Sequence, residues 1–213
     1  MPHIELLAHR GWWDKPEQRN SPAAINRAFN AGLGIETDLR DCNSDIVIAH
    51  DPTKVGTSYY KFRDLLHDFK DAGQPGTLAL NIKADGLQPA VSALLTEFKI
   101  TRYFLFDMSI PDTLQWVKVP CPVYTRQSEY EPVAPLYDQA AGIWIDCFKH
   151  DWFEQDIIQA HLIAGKKVAV VSPELHGRDP AAVWSLLHTF QDPRISLCTD
   201  RIPQARSFFH GQD

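Results

Sequence analysis

Glu36 and Asp38 lie two residues apart near the end of an apolar run. On a strand, that spacing projects both carboxylates to the same face. Two such groups repel each other unless something cationic sits between them. A divalent ion with oxygen ligands, Mg²⁺ or Ca²⁺, suits the pair. The structural alternative is that one carboxylate caps a loop or pairs with Arg10, Arg40 or Lys83. Two histidines close similar runs: His9 follows Ile4–Ala8, and His50 follows Ile46–Ala49. An imidazole titrates near neutrality and can take or give a proton there. Arg10, next to His9, offers a forked donor suited to phosphate. Gly11 lets the backbone turn closely beneath a ligand. Asp51 can set the tautomer of His50. Asn81 and Lys83 share a strand face, and Lys83 can neutralise a phosphate or a developing negative charge. Its structural alternative is an ion pair with Glu36 or Asp38. Taken singly, each of these residues has an ordinary structural explanation; their joint placement is what points to a site. Glu174 and His176, after the run Lys167–Val171, are further candidates. Trp12 and Trp13 either wall a pocket or pack on a neighbouring loop, and Trp144 reads as core.

Apolar strand-like runs alternate with amphipathic stretches along the whole chain. The strands are expected at Ile4–Ala8, Ile35–Leu39, Leu78–Ile82, Tyr103–Phe106, Val123–Thr125, Ile143–Ile145, Lys167–Val171 and Ile195–Cys198. A further extended piece is expected at Ile46–Ala49. Phe62, Leu65, Leu66 and Phe69 fall at i, i+3, i+4, i+7, as do Val91, Leu94, Leu95 and Phe98, and Val183, Leu186, Leu187 and Phe190. That spacing makes one face of a helix. Ser21-Pro22 starts another helix, with Ser as N-cap and Pro in its first turn. Helices are also expected at Ser109–Val117, around Phe153–Leu162, near Leu136–Ala140 and near Pro203–Phe209. Strand–helix alternation implies parallel βα units, and eight of them imply an α/β fold of the (β/α)8 TIM-barrel type. With no linker or composition break, residues 1–213 read as one domain. Polar groups gather at the C-terminal ends of the strands, where such a barrel collects its chemistry: His9 and Arg10, Glu36 and Asp38, Asn81 and Lys83, Asp107, Arg126, Asp146, Glu174, Asp200.

The net charge of −6 and the absence of a basic run argue against nucleic acid as a partner. No apolar run approaches the length of a membrane span, and no secretory signal pattern is visible. The four cysteines form no close pair, which reads as reduced thiols in a cytoplasmic protein. Nothing in the sequence fixes an oligomeric state.

The motifs, in order, resemble the glycerophosphodiester phosphodiesterases, which are related in fold to the phosphatidylinositol phospholipases C. Ala8-His9-Arg10-Gly11 is similar to that family's opening motif. Asn20-Ser21-Pro22 with Ala24 and Phe29 is similar to its Asn-Thr-x-x-Ala-Phe segment, and Glu36-Thr37-Asp38 to its metal-binding Glu-x-Asp. His50-Asp51 resembles its His-Asp, and Thr199-Asp200-Arg201-Ile202-Pro203 its closing Thr-Asp-x-Pro. The resemblance implies a TIM barrel that cleaves a small phosphodiester with one divalent cation, Mg²⁺ or Ca²⁺. It implies His9 and His50 as the acid–base pair, Glu36 and Asp38 on the metal, and Arg10 and Lys83 on the phosphate. The family's third metal carboxylate, in a Glu-x-Lys motif, is here Asn81-Ile82-Lys83. Asn81 can offer its carbonyl oxygen in that place, and Glu174 can restore the missing charge or read a substrate group.

Overall fold

The computed structural model describes residues 4–211. Nine strands and seven α-helices follow in order within them: β1 (Glu5–His9), α1 (Pro22–Asn30), β2 (Gly34–Cys42), β3 (Asp45–Ile48), α2 (Phe62–Asp71), β4 (Leu78–Ile82), α3 (Gln88–Glu97), β5 (Tyr103–Phe106), α4 (Ile110–Trp116), β6 (Tyr124–Gln127), β7 (Gly142–Ile145), α5 (Gln155–Ile163), β8 (Lys167–Val171), α6 (Ala181–His188), β9 (Ile195–Thr199) and α7 (Ile202–His210). The fold class is the (β/α)8 barrel, with β3 as an extra strand. The chain forms two compact units. One is 8–123; the other comprises the flanks, up to Leu7 and from Tyr124.

In 8–123, β2 pairs in parallel with β4, and β4 with β5. β2 is nearly continuously buried from Gly34 to Leu39, as expected for a parallel strand covered on both faces. The α2 face read from sequence is the buried one, whereas in α3 Val91 and Leu95 are buried and Leu94 is half-buried. Phe62, Leu65, Leu66 and Phe69 of α2 are fully buried, and the Phe69 ring lies 5.1 Å from that of Phe29 on α1. Ser21 caps α1, its side-chain oxygen accepting from the Ala24 N–H at 3.2 Å. The extended piece after β2 folds back as an antiparallel hairpin, with Cys42 opposite Asp45. Asn43 takes the left-handed backbone of that two-residue turn, at φ 57°. The Ile48 N–H donates to the Tyr60 carbonyl at 2.8 Å, so the hairpin is held on its other side too.

In the flanking unit, β6, β7, β8 and β9 form a parallel sheet in that order. Trp144 is buried there, as its alternation with Ile143 and Ile145 predicts. The helix expected near Leu136–Ala140 is a series of turns instead. Leu136 sits at φ 53°, a left-handed conformation that does not propagate a right-handed helix.

Candidate active site

The residues singled out on β1, β2, β4 and the loop after β3 all lie in 8–123. β1 ends at His9, and the chain then turns sharply through Arg10 at φ 56° and Gly11 at φ 88°. A Cβ at Gly11 would lie 2.7 Å from the Ala24 carbonyl carbon, so only glycine lets the turn press against the start of α1. The Arg10 N–H donates to the Glu36 carbonyl at 2.9 Å, fastening this turn to β2. His9 Nε2 then stands 3.8 Å from Glu36 Oε2.

On β2, Glu36 and Asp38 are both buried, at 2% and 0% exposure. Asp38 is held from one side: Oδ2 accepts from Asn20 Nδ2 at 2.8 Å and lies 3.1 Å from Arg10 Nε. Asn20 itself sits at φ 59° and accepts at its Oδ1 from the Thr37 hydroxyl at 2.8 Å. Asp38 is in register with Asn81 on β4. Lys83 follows β4, with Nζ 3.5 Å from Asp38 Oδ1 and 3.6 Å from Asp107 Oδ2. The anticipated ion pairs of Asp38 with Arg10 and Lys83 are therefore present, and they bring both cations into the same cluster.

Three side-chain oxygens in this cluster are buried and make no hydrogen bond: Glu36 Oε2, Asp38 Oδ1 and Asn81 Oδ1. Buried polar atoms are nearly always satisfied, so three unsatisfied acceptors in one cluster call for a reason. Burial, reinforced by the charge of Asp38, pushes the Glu36 carboxyl up from 4.5 to about 7, against the opposing pull of His9, Arg10 and Lys83. Oxygen donors of this kind, two carboxylates and one amide carbonyl, fit a hard divalent cation. No group of three or more His, Cys, Asp or Glu able to hold a metal occurs among the described residues, so the amide of Asn81 is essential to that fit.

His50 lies on the exposed loop after β3, and its Nδ1 is 2.8 Å from Asp51 Oδ1. That hydrogen bond holds the Asp51 carboxyl below its ordinary value, with Arg10 and Arg40 adding smaller contributions. Arg40 does not pair with a carboxylate of the cluster. Its Nε donates to the His50 carbonyl at 3.0 Å and its Nη1 to the Lys83 carbonyl at 2.8 Å. Trp12 and Trp13 pack beneath arginines: Arg27 of α1 lies 4.4 Å above Trp12, and Arg19 4.3 Å above Trp13.

Glu174 belongs to the flanking unit, in a 3-10 turn after β8. It accepts from the hydroxyls of Ser172 and Thr199, and from the Asp200 N–H at 3.2 Å. His176 follows on the same turn, with Nε2 2.7 Å from Asp146 Oδ1. Sequence reasoning gave no role to Asn20, Arg40 or Asp107 as site residues. Asn20 carried a signal, being part of the Asn-Ser-Pro motif; the sequence offers Arg40 only as an alternative ion-pair partner of Glu36 or Asp38, and Asp107 only as a polar group at a strand end.

No family sequence model and no curated protein matches the chain. Solved structures do. A Galdieria sulphuraria protein assigned as a glycerophosphodiester phosphodiesterase superposes with TM-score 0.76 over 98% of this chain and 99% of its own, at 15% identity. An Oleispira antarctica phosphodiesterase, solved in complex with the product sn-glycerol-3-phosphate, gives 0.70 over 95% and 96%, at 16% identity. A Ca²⁺-dependent phosphatidylinositol-specific phospholipase C from Streptomyces antibioticus gives 0.58 over 98% of each chain, at 9% identity. The fold is that of the glycerophosphodiester phosphodiesterases. In a (β/α)8 fold, chemistry is carried at the C-terminal ends of the strands. His9, Asn81–Lys83 and Asp107 stand at those ends, on β1, β4 and β5. No helix among the described residues is long and apolar enough to cross a membrane.

Proposed function

We propose that the chain, acting as one domain over 1–213, is a phosphodiester hydrolase that uses one divalent cation, Mg²⁺ or Ca²⁺. The substrate class is a glycerophosphodiester or a similar small alcohol, sugar or lipid-headgroup phosphodiester. The observation that carries this reading is the set of three buried, unsatisfied oxygens on Glu36, Asp38 and Asn81, flanked by Arg10 and Lys83. Buried acceptors with no hydrogen bond, two of them met only by longer ion-pair contacts to His9 and Lys83, match the needs of a cation, and the flanking cationic side chains match those of a phosphate. The product-bound and Ca²⁺-dependent proteins of the same fold support the substrate class and the ion.

Glu36, Asp38 and Asn81 would hold the cation, whose chemistry is to polarise a phosphoryl oxygen and spread its charge. Arg10 and Lys83, both beside Asp38, would bind the phosphate and offset the charge that grows on it. His9 and His50 divide the proton work: one takes a proton from the attacking hydroxyl or water, the other gives one to the leaving alkoxide. Asp51 orients the His50 ring through Nδ1, which leaves Nε2 for the reacting group.

The test is cleavage of a glycerophosphodiester with added Mg²⁺ or Ca²⁺ against EDTA, for the wild type, His9→Ala and Glu36→Ala. Activity that survives chelation and both substitutions sinks the mechanism. A second reading is a phosphate-ligand-binding barrel without turnover. It is favoured by the neutral Asn81, which leaves two carboxylates in the cluster. Calorimetry separates the two: ligand affinity without any divalent-ion binding supports the binder.

A further inference from the structure

Asp107 is outside every role assigned so far, yet its geometry is unusual. It follows β5 directly and has a left-handed backbone, φ 72°, although it is not glycine. Strand alternation would turn residue 107 to the opposite face from Phe106. The left-handed step breaks that alternation and brings Asp107 Oδ2 to 3.3 Å from Asn81 Nδ2 and 3.6 Å from Lys83 Nζ. A non-glycine residue held in this region costs free energy, and such positions concentrate at functional sites.

The contact answers a problem that an asparagine in this cluster creates. The two ends of an amide have nearly the same shape and opposite polarity. Beside the buried carboxylates of Glu36 and Asp38, electrostatics alone would turn the NH₂ end toward them, and an NH₂ group cannot ligate a cation. A partner on the other side must hold the NH₂ away. Asp107 is that partner: it accepts from Nδ2, and Oδ1 is left as the buried, unsatisfied end. Asp107 also shares Lys83 with Asp38, so the ammonium is not seated wholly on Asp38 Oδ1, where it would compete with a cation.

We propose that Asp107 is a positioning residue that fixes the amide of Asn81 oxygen-inward and shares Lys83 with Asp38, so that a neutral side chain can serve as a cation ligand. The inference rests on the divalent-cation reading given above. The dependence is specific to an amide. A carboxylate at position 81 has no wrong end and would not need Asp107.

That asymmetry supplies the test, with Mg²⁺ and Ca²⁺ alone as probes in calorimetric titrations and unfolding in EDTA as the control for folding. Asp107→Ala is expected to lower cation affinity by about tenfold or more, the range seen when groups supporting a metal ligand are removed. Asp107→Asn keeps an acceptor for Asn81 Nδ2 and is expected to lose less. The exchange variant, Asn81→Asp with Asp107→Asn, conserves the net charge and is expected to bind at least as tightly as wild type, because a carboxylate ligand needs no partner to orient it. Wild-type affinity in Asp107→Ala, or an exchange variant as weak as Asp107→Ala, overturns the role of Asp107 while leaving the phosphodiesterase reading intact. If Asp107→Ala does not fold, Asp107→Asn and the exchange variant carry the comparison alone. A wild type that binds neither ion in any condition overturns both readings.

Discussion

In EDTA, Glu36→Gln should abolish a fall in stability that the wild type shows between pH 5 and pH 8, and it should weaken the response to divalent cations. Glu36 is buried beside Asp38, and its carboxyl is displaced from 4.5 to about 7. The sign follows from proton linkage. Between those two values the folded state holds a proton on Glu36 that the unfolded state has released. Stability due to this group is therefore present at low pH and is lost as pH rises toward 7. At about 1.4 kcal/mol per pH unit, the displacement amounts to roughly 3 kcal/mol, most of it lost between pH 5 and pH 8. Glutamine resembles the protonated acid and does not titrate, so whatever fixed cost its buried amide carries cancels from the pH dependence. The gap between variant and wild type should change by a few kcal/mol in favour of the variant over that range, several degrees in Tm for a chain of this size. The assay is thermal and urea unfolding of both proteins in EDTA at pH 5, 6, 7 and 8. Repeated at a cation concentration 100 times Kd, the wild type should gain about 2.7 kcal/mol, and the variant much less. Parallel stability profiles for the two proteins in EDTA would refute the claim that an ionised Glu36 is costly without a cation.

Four further outcomes are expected. His9→Ala and His50→Ala should each lower kcat for a glycerophosphodiester by about 10²–10⁴-fold, with cation binding retained in calorimetry. Asn20→Ala should weaken cation binding, because Asn20 holds Asp38 Oδ2; titration with Ca²⁺ checks it. Gly11→Ala should cost about 3 kcal/mol in urea unfolding, since it combines a positive φ with a backbone clash against Ala24. Burial holds the His161 imidazole below its usual value. Its ring nitrogens meet the Tyr137 hydroxyl at 2.9 Å and Gln127 Oε1 at 2.8 Å. The unfolded chain takes the proton first on acidification, so the wild type should lose more stability than His161→Gln as pH falls below about 6.5.

Much of the scaffold was legible because it is written in local periodicity. The α2 face of Phe62, Leu65, Leu66 and Phe69 follows from spacing alone, as does the Ser21 cap. The pairing of Glu36 with Asp38 followed from alternation on a strand, and Asp38 does meet Arg10 and Lys83. What stayed hidden depends on contacts far apart in sequence or on the sign of a backbone angle. Asp38 is gripped by Asn20, 18 residues away, and Asn81 meets Asp107 across 26. No local pattern places Asp107 or Leu136 in the left-handed region; each is put there by its surroundings. The helix expected near Leu136 failed for that reason, and Asp107 went unread as a site residue for the same one.

Arg40 grips the chain at positions 50 and 83 by their carbonyl oxygens, and neither side chain takes part in that grip. A carbonyl is the same whatever residue carries it. The geometry of these two positions is thus decoupled from their chemical identity. Replacing the imidazole or the ammonium leaves the frame standing, whereas replacing Arg40 would loosen a frame whose functional groups are all still present. Such an arrangement lets the reacting groups be exchanged one at a time on an unchanged backbone, which is the condition under which one barrel can be turned to a new substrate without first being refolded.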